Sequence, residues 1–140
     1  MDQAAEVAMN GNQMNIFVIE RTPEIRKRLV AMVGRVAGVN VIGEGAFVGE
    51  ASEAVERGEA QSVLLGLQQI GGGELEALSR LKQARPALRA IVLANSTSQQ
   101  YLQASRAAGA DFCLDKSREF GLVPDILRSW MEAAGTRPTA

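Results

Sequence analysis

The sequence predicts an α/β domain in which a five-stranded parallel sheet, strand order 2-1-3-4-5, is covered by helices on both faces. Three observations lead there. Short apolar runs alternate five times with segments whose apolar residues recur at helical spacing. Runs such as NIFVI (15–19) and RAIVLA (89–94) are apolar at successive positions, as in strands buried on both faces. The connections are a few residues long, and right-handed crossovers then leave few strand orders, of which 2-1-3-4-5 is a common one.

The elements follow in order. Asn15–Ile19 is a β-branched apolar run and the first strand. Thr22-Pro23 offers an N-cap and a proline at the first helical position. Ile25, Leu29, Val33 and Val36 then stripe the first helix, weakened by Gly34 and ended by Gly38. Val39–Ile42 is the second strand. Residues 49–57 form a short polar helix with Ala51, Ala54 and Val55 inward, closed by Gly58. Ser62–Leu65 is the third strand. Leu75, Leu78 and Leu81 stripe the third helix, which stops near Arg85 because the residue before Pro86 disfavours helix. Arg89–Ala94 is the fourth strand, Ser98–Ala108 a weakly amphipathic fourth helix, and Asp111–Asp115 the fifth strand. Val123, Ile126, Leu127, Trp130 and Met131 give the last helix the cleanest apolar face, with Pro124 tolerable in its first turn. Residues 1–14 read as a flexible lead-in, 15–134 as the domain and 135–140 as a tail.

Bulk properties exclude several functions. The 140 residues suffice for one domain, and 46% apolar content can fill its core. A net charge of −1 argues against general binding to nucleic acid or anionic membrane. Histidine, the usual general base and metal ligand, is absent. Cys113 is the single cysteine, so no internal disulfide or zinc cluster is available. With no convergent acid pair either, the chain is not expected to be an enzyme or to carry a cofactor. No apolar run approaches a membrane span, and the first residues lack a secretion signal, so a cytoplasmic location is expected.

In such a sheet the ligand crevice lies at the carboxyl ends of the strands. That gathers Ile19-Glu20-Arg21, Leu65-Gly66-Leu67, Ala94-Asn95 and Asp115-Lys116. The segments IFVIERTPEIRKRL, GLQQIGGGELEAL, IVLANS and AGADFCLDKS, in this order and spacing, resemble response-regulator receiver domains of the CheY type, over about residues 14–134. The resemblance implies a flavodoxin-like (βα)5 fold and a role in bacterial two-component signalling or phosphorelay. It also implies five side chains at the crevice and a coupling aromatic beside them, and most are altered. Where receivers carry two magnesium-binding acids the chain has Glu20 and Arg21. The phosphoacceptor aspartate is Gly66, the hydroxyl residue Ala94 and the coupling aromatic Cys113. The loop proline is Ile70 and the glycine eight residues past the acceptor is Glu74. Only Lys116 is unchanged. Glycine has no atom to phosphorylate, and one acid beside a new arginine is a poor site for a hard divalent cation. The resemblance is therefore to a degenerate pseudo-receiver, with catalytic, cofactor-binding and metal residues expected to be none.

Each sharper motif has a plainer reading. Gly71-Gly72-Gly73 could cradle a phosphate, but no Gly-Lys-Ser/Thr follows, and a simple turn is expected. Gly43–Gly49 mimics a dinucleotide fingerprint, but the next strand ends in Leu65-Gly66-Leu67 with no acid for a ribose. Glu20 and Lys116 are expected to pair across the crevice, with Asp115 on the opposite strand face. Cys113 is expected to be a small, half-buried residue. Arg21, Arg26, Lys27, Arg28 and Arg35 make a basic helix face, expected to be solvated, without interleaved aromatics for base stacking.

The resulting expectation is a phosphorylation-independent protein–protein interaction module whose partner is another signalling protein: a kinase, a phosphotransfer protein or an output protein. A homodimer could form through the fourth helix, fifth strand and fifth helix. The alternative is a receiver-fold sensor that binds an anion or nucleotide in the crevice through Arg21 and Lys116.

Overall fold

The computed structural model describes residues 13–135, with side chains to residue 133. Strands β1 (Met14–Ile19), β2 (Val39–Gly45), β3 (Ser62–Leu67), β4 (Arg89–Ala94) and β5 (Phe112–Asp115) alternate with helices α1 (Pro23–Gly34), α2 (Ser52–Glu56), α3 (Glu74–Ala84), α4 (Gln99–Ala107) and α5 (Val123–Gly135). Every strand pair is parallel and the order is β2-β1-β3-β4-β5, as expected from the alternation. Met14 and Gly135, read as lead-in and tail, are the first residue of β1 and the last of α5. The rest of both segments, 1–12 and 136–140, lies outside the described residues.

The sheet divides the core in two because successive strand side chains point to opposite faces. On one face Ile16, Val18, Leu64, Ile91, Leu93 and Leu114 pack with Leu29 and Val33 of α1 and Val123 and Leu127 of α5. On the other, Val63, Leu65, Leu67, Ala90, Val92 and Ala94 pack with α2, α3 and Ala108 beyond α4. Burying each large aliphatic side chain contributes roughly 1.5–3 kcal/mol, so the two apolar layers hold the strand ends in place.

Several boundaries differ from expectation. Strand β3 runs to Leu67 and not only to Leu65, which places Gly66 inside it. Helix α1 ends at Gly34, not Gly38: Arg35 and Val36 donate to the carbonyls three residues back, tightening the chain out of the helix. Gly38, at φ 86°, makes the turn into β2. Strand β2 runs to Gly45 and not only to Ile42. The pairing skips a residue between Ile16 and Phe17, so Gly43 falls opposite Phe17. A Cβ on Gly43 would lie 2.4 Å from that ring, so glycine there admits a buried phenylalanine and the ladder continues. The Gly43–Gly49 segment is thus strand followed by turn. The segment read as one helix over 49–57 is a 3-10 turn, Val48–Ala51, leading into α2. The Glu50 carboxylate accepts from the amides of Ala46 and Phe47, both at 3.1 Å, and starts that turn early.

Candidate functional site

Strand alternation within β3 and just past the ends of β1 and β5 puts Glu20, Gly66 and Lys116 on the α1/α5 side of the sheet. Glu20 continues Ile16 and Val18, Gly66 follows Leu64, and Lys116 follows Leu114. Asp115 falls on the opposite side, as its position predicted. The backbones at these ends are pinned. The Glu20 amide donates to Gly45 O at 2.9 Å and the Lys116 amide to Ala94 O at 2.7 Å. Arg26 Nη1 donates to Glu20 O at 2.7 Å.

The Glu20 side chain is fully buried, and each of its oxygens has a neighbour. Oε2 accepts from the Thr22 amide at 3.0 Å and from Gln68 Nε2 at 3.2 Å. Oε1 lies 3.2 Å from Lys116 Nζ. That contact lacks the alignment of a hydrogen bond, so the ammonium acts there as a neighbouring charge. A buried acid without a counter-charge would be costly, and Lys116 offsets part of that cost. The crevice ion pair expected from the sequence is present.

What Glu20 does to Gly66 was not legible in the sequence. A Cβ built on Gly66 would fall 1.8 Å from Glu20 Oε1 and 2.9 Å from its Cδ, with Lys116 Nζ at 3.5 Å. The carboxylate of residue 20 therefore fills the space into which a side chain at 66 would project, and it faces the lysine from there. Glycine at 66 and glutamate at 20 are one packing solution.

The other site positions are spread more widely. Ala94 is buried in the layer against α3 and α4. Cys113 is half-buried against the same layer, as expected. Arg21, expected to hold its charge beside the crevice, is exposed, with its guanidinium 5.4 Å from the centre of the Phe47 ring. The ring supplies a π face that a guanidinium in water can use. Gly71-Gly72-Gly73 is a turn: Ile70–Gly72 is 3-10 and Gly73, at φ 88°, precedes α3. The buried Glu74 carboxylate closes it by accepting from the Gln68 amide at 3.0 Å, which puts a negative group where a bound phosphate would need donors. Sequence reasoning missed Thr22, Gln68 and Arg26 as supports of Glu20. Their signal was position alone, at the strand ends next to a buried acid.

Asp115 has its own task. Its Oδ1 accepts from the Arg118 amide at 2.8 Å and from the Ser117 hydroxyl and amide, both at 2.9 Å. These bonds, the one from Arg118 first, hold its pKa below the ordinary 3.8. The arrangement shapes the turn after β5 and so aims Lys116.

A magnesium ion does not fit this crevice. The one acid at the site has both oxygens engaged, and among the described residues no three Asp, Glu, Cys or His side chains are placed to hold a metal.

No protein-family model matches the sequence, and no curated protein matches it. Solved structures do match in fold. The response regulator domain of Thermotoga maritima CheB superposes with a TM-score of 0.70 at 16% identity, over 88% of this chain and 96% of that one. A pilus assembly-related protein from Burkholderia pseudomallei gives a TM-score of 0.71 at 18% identity, over 89% and 91% of the two chains. A pilus assembly protein (cpaE) from Burkholderia thailandensis gives 0.67 at 19% identity, over 89% and 100%. The chain has the receiver fold, with the five-stranded sheet and the strand order of that class.

Proposed function

We propose that the chain is a receiver-fold signalling module that works without phosphorylation and acts by binding another protein. One observation carries this reading: the Glu20 carboxylate occupies the volume of a side chain at position 66 and faces Lys116 at 3.2 Å. A receiver crevice changes state when charge at its acceptor position changes. Here the carboxylate is permanent, the acceptor atom is absent, and Ala94 supplies no hydroxyl to follow a phosphoryl group. The surface around the crevice is then held in one arrangement, which suits constitutive docking of a partner. Two of the similar structures come from pilus assembly-related proteins, so pilus assembly is one setting in which to seek that partner, alongside kinases, phosphotransfer proteins and output proteins.

The test is incubation with acetyl phosphate and magnesium, followed by intact-mass measurement, with a conventional receiver as positive control. The expected outcome is an unmodified mass. A stoichiometric phosphoryl adduct, or a partner affinity that changes when the phosphodonor is added, would overturn the proposal.

A further inference from the structure

The crevice beside Gly66 is filled by Glu20, so an anion has no room there. The open volume is one step away, on the α1 side of Lys116. A hollow of about 320 Å³ lies between α1 and the segment after β5. Its walls are apolar: Ile25 and Leu29 from α1, and Phe120 from the 3-10 turn that precedes α5. Its polar lining includes Arg28, Asn95 and Lys116, and no acid lines it.

The polar groups share one property. Lys116 Nζ makes no hydrogen bond among the described residues, although its side chain is only 12% exposed. No hydrogen bond involves the side chains of Asn95 or Arg28 either; the Arg28 guanidinium lies over the Phe120 ring, 6.0 Å from its centre. A half-buried ammonium with uncommitted N–H groups is an unusual feature, since buried polar groups normally find partners. Glu20 offsets the charge of Lys116 from behind, so lysine contributes donors while Arg28 contributes the net positive charge. A second hollow, which also has Arg28 and Phe120 in its lining, adds Arg35 and again no acid. Electrostatics and hydrogen bonding thus favour an anion, and the walls favour an apolar body beside it.

We infer that this hollow is a binding site for a small amphipathic carboxylate, an aryl or short-chain acid. Its apolar part would rest on Ile25, Leu29 and Phe120, and its carboxylate would meet Lys116 and Arg28. The volume suits a molecule of this class, near the lower end of small-ligand pockets, which span roughly 300–1,000 Å³. The inference goes beyond the proposed function and does not depend on it: an interaction module can have a ligand site whether or not it is phosphorylated.

The experiment is an NMR titration of the ¹⁵N-labelled full chain with benzoate and octanoate. Benzamide, octanol and inorganic phosphate serve as controls for the apolar body alone and the anion alone. The expected result is saturable shifts centred on Ile25, Leu29, Ser117 and Phe120 with at least one carboxylate, and weaker binding of every control. Arg28 is exposed, so Arg28→Glu should leave the fold intact, checked by the unliganded spectrum. It should weaken binding by about tenfold or more, as loss of a charge-assisted contact does. Phe120→Ala provides a second variant that acts on the apolar wall and should also weaken carboxylate binding. Four outcomes would overturn the site: no saturable shift with either acid, phosphate binding as tightly as the acids, shifts centred elsewhere, or undiminished binding to both variants.

Discussion

The tight fit between Glu20 and Gly66 makes alanine at position 66 a direct probe of the crevice. In a strand interior, glycine to alanine ordinarily stabilises by roughly 0.5–1 kcal/mol. Gly66 is not among the glycines with positive φ, so its backbone accepts alanine. The new methyl would instead meet Glu20 Oε1 at 1.8 Å and Cδ at 2.9 Å. A carboxylate end can swing away, but this one would leave the Thr22 amide at 3.0 Å, Gln68 Nε2 at 3.2 Å and Lys116 at 3.2 Å. Overpacking costs about 1–3 kcal/mol, and hydrogen bonds to a charged group contribute about 1.5–3 kcal/mol each, partly regained where the carboxylate reaches water. A net loss of about 3 kcal/mol is expected for Gly66→Ala. With Glu20→Ala already in place, the same methyl has Lys116 Nζ at 3.5 Å as its nearest remaining neighbour, an ordinary contact. Its effect should revert to neutral or stabilising, giving a coupling of about 3–4 kcal/mol in the double-mutant cycle. Urea unfolding of the four proteins at neutral pH, followed through the single tryptophan, Trp130, measures it. Equal effects of Gly66→Ala in both backgrounds would refute the idea that Glu20 holds the space of residue 66.

Two further predictions concern the same strand ends. Lys116→Met leaves Glu20 buried without its cation. It should cost about 3 kcal/mol in urea unfolding, at the low end for a broken buried pair because Thr22 and Gln68 still serve Oε2; a change within about 0.5 kcal/mol, the range of ordinary surface substitutions, would contradict it. For Asp115 the sign follows from its lowered pKa: the ionised form is favoured in the fold, so its contribution is complete above the ordinary 3.8 and is lost as pH falls through the lower folded value. The stability gap between wild type and Asp115→Asn should stay level from neutral pH to about pH 4 and shrink below it. A gap unchanged into strong acid would show that the carboxylate charge has no such role.

The α/β class was legible because it rests on local pattern, and the strand order because right-handed crossovers leave few arrangements for that pattern. The runs in 15–19 and 89–94 are short and apolar at successive positions, which fits strands buried on both faces, and Pro23, Pro86 and Gly109 mark where helices begin and end. Boundaries failed where side chains from elsewhere intervened. Gly43 looks like a turn residue until the Phe17 ring is placed over it, and Gly38 looks like a helix end until the chain tightens after Gly34. Glu20 and Lys116 were recognisable as a pair because they follow β1 and β5 at the same end of the sheet and carry opposite charges across the crevice. Arg21 was not placed correctly, since nothing in the local sequence indicates that its guanidinium would lie over Phe47.

By its residues alone, the chain specifies five parallel strands, a crevice at their ends, and a glycine, Gly66, at the end of the third. Those properties depend on periodicity and on residue identity, which a linear reading contains. Only the folded chain decides that the vacated volume is not vacant. Glu20 is 46 residues from Gly66, and its carboxylate reaches that space because the α1/α5 face of the sheet sets β1 beside β3 in register. Excluded volume between distant side chains has no signature along the sequence. It exists once the strands are paired, and here the Glu20 carboxylate fills the space that glycine leaves at position 66.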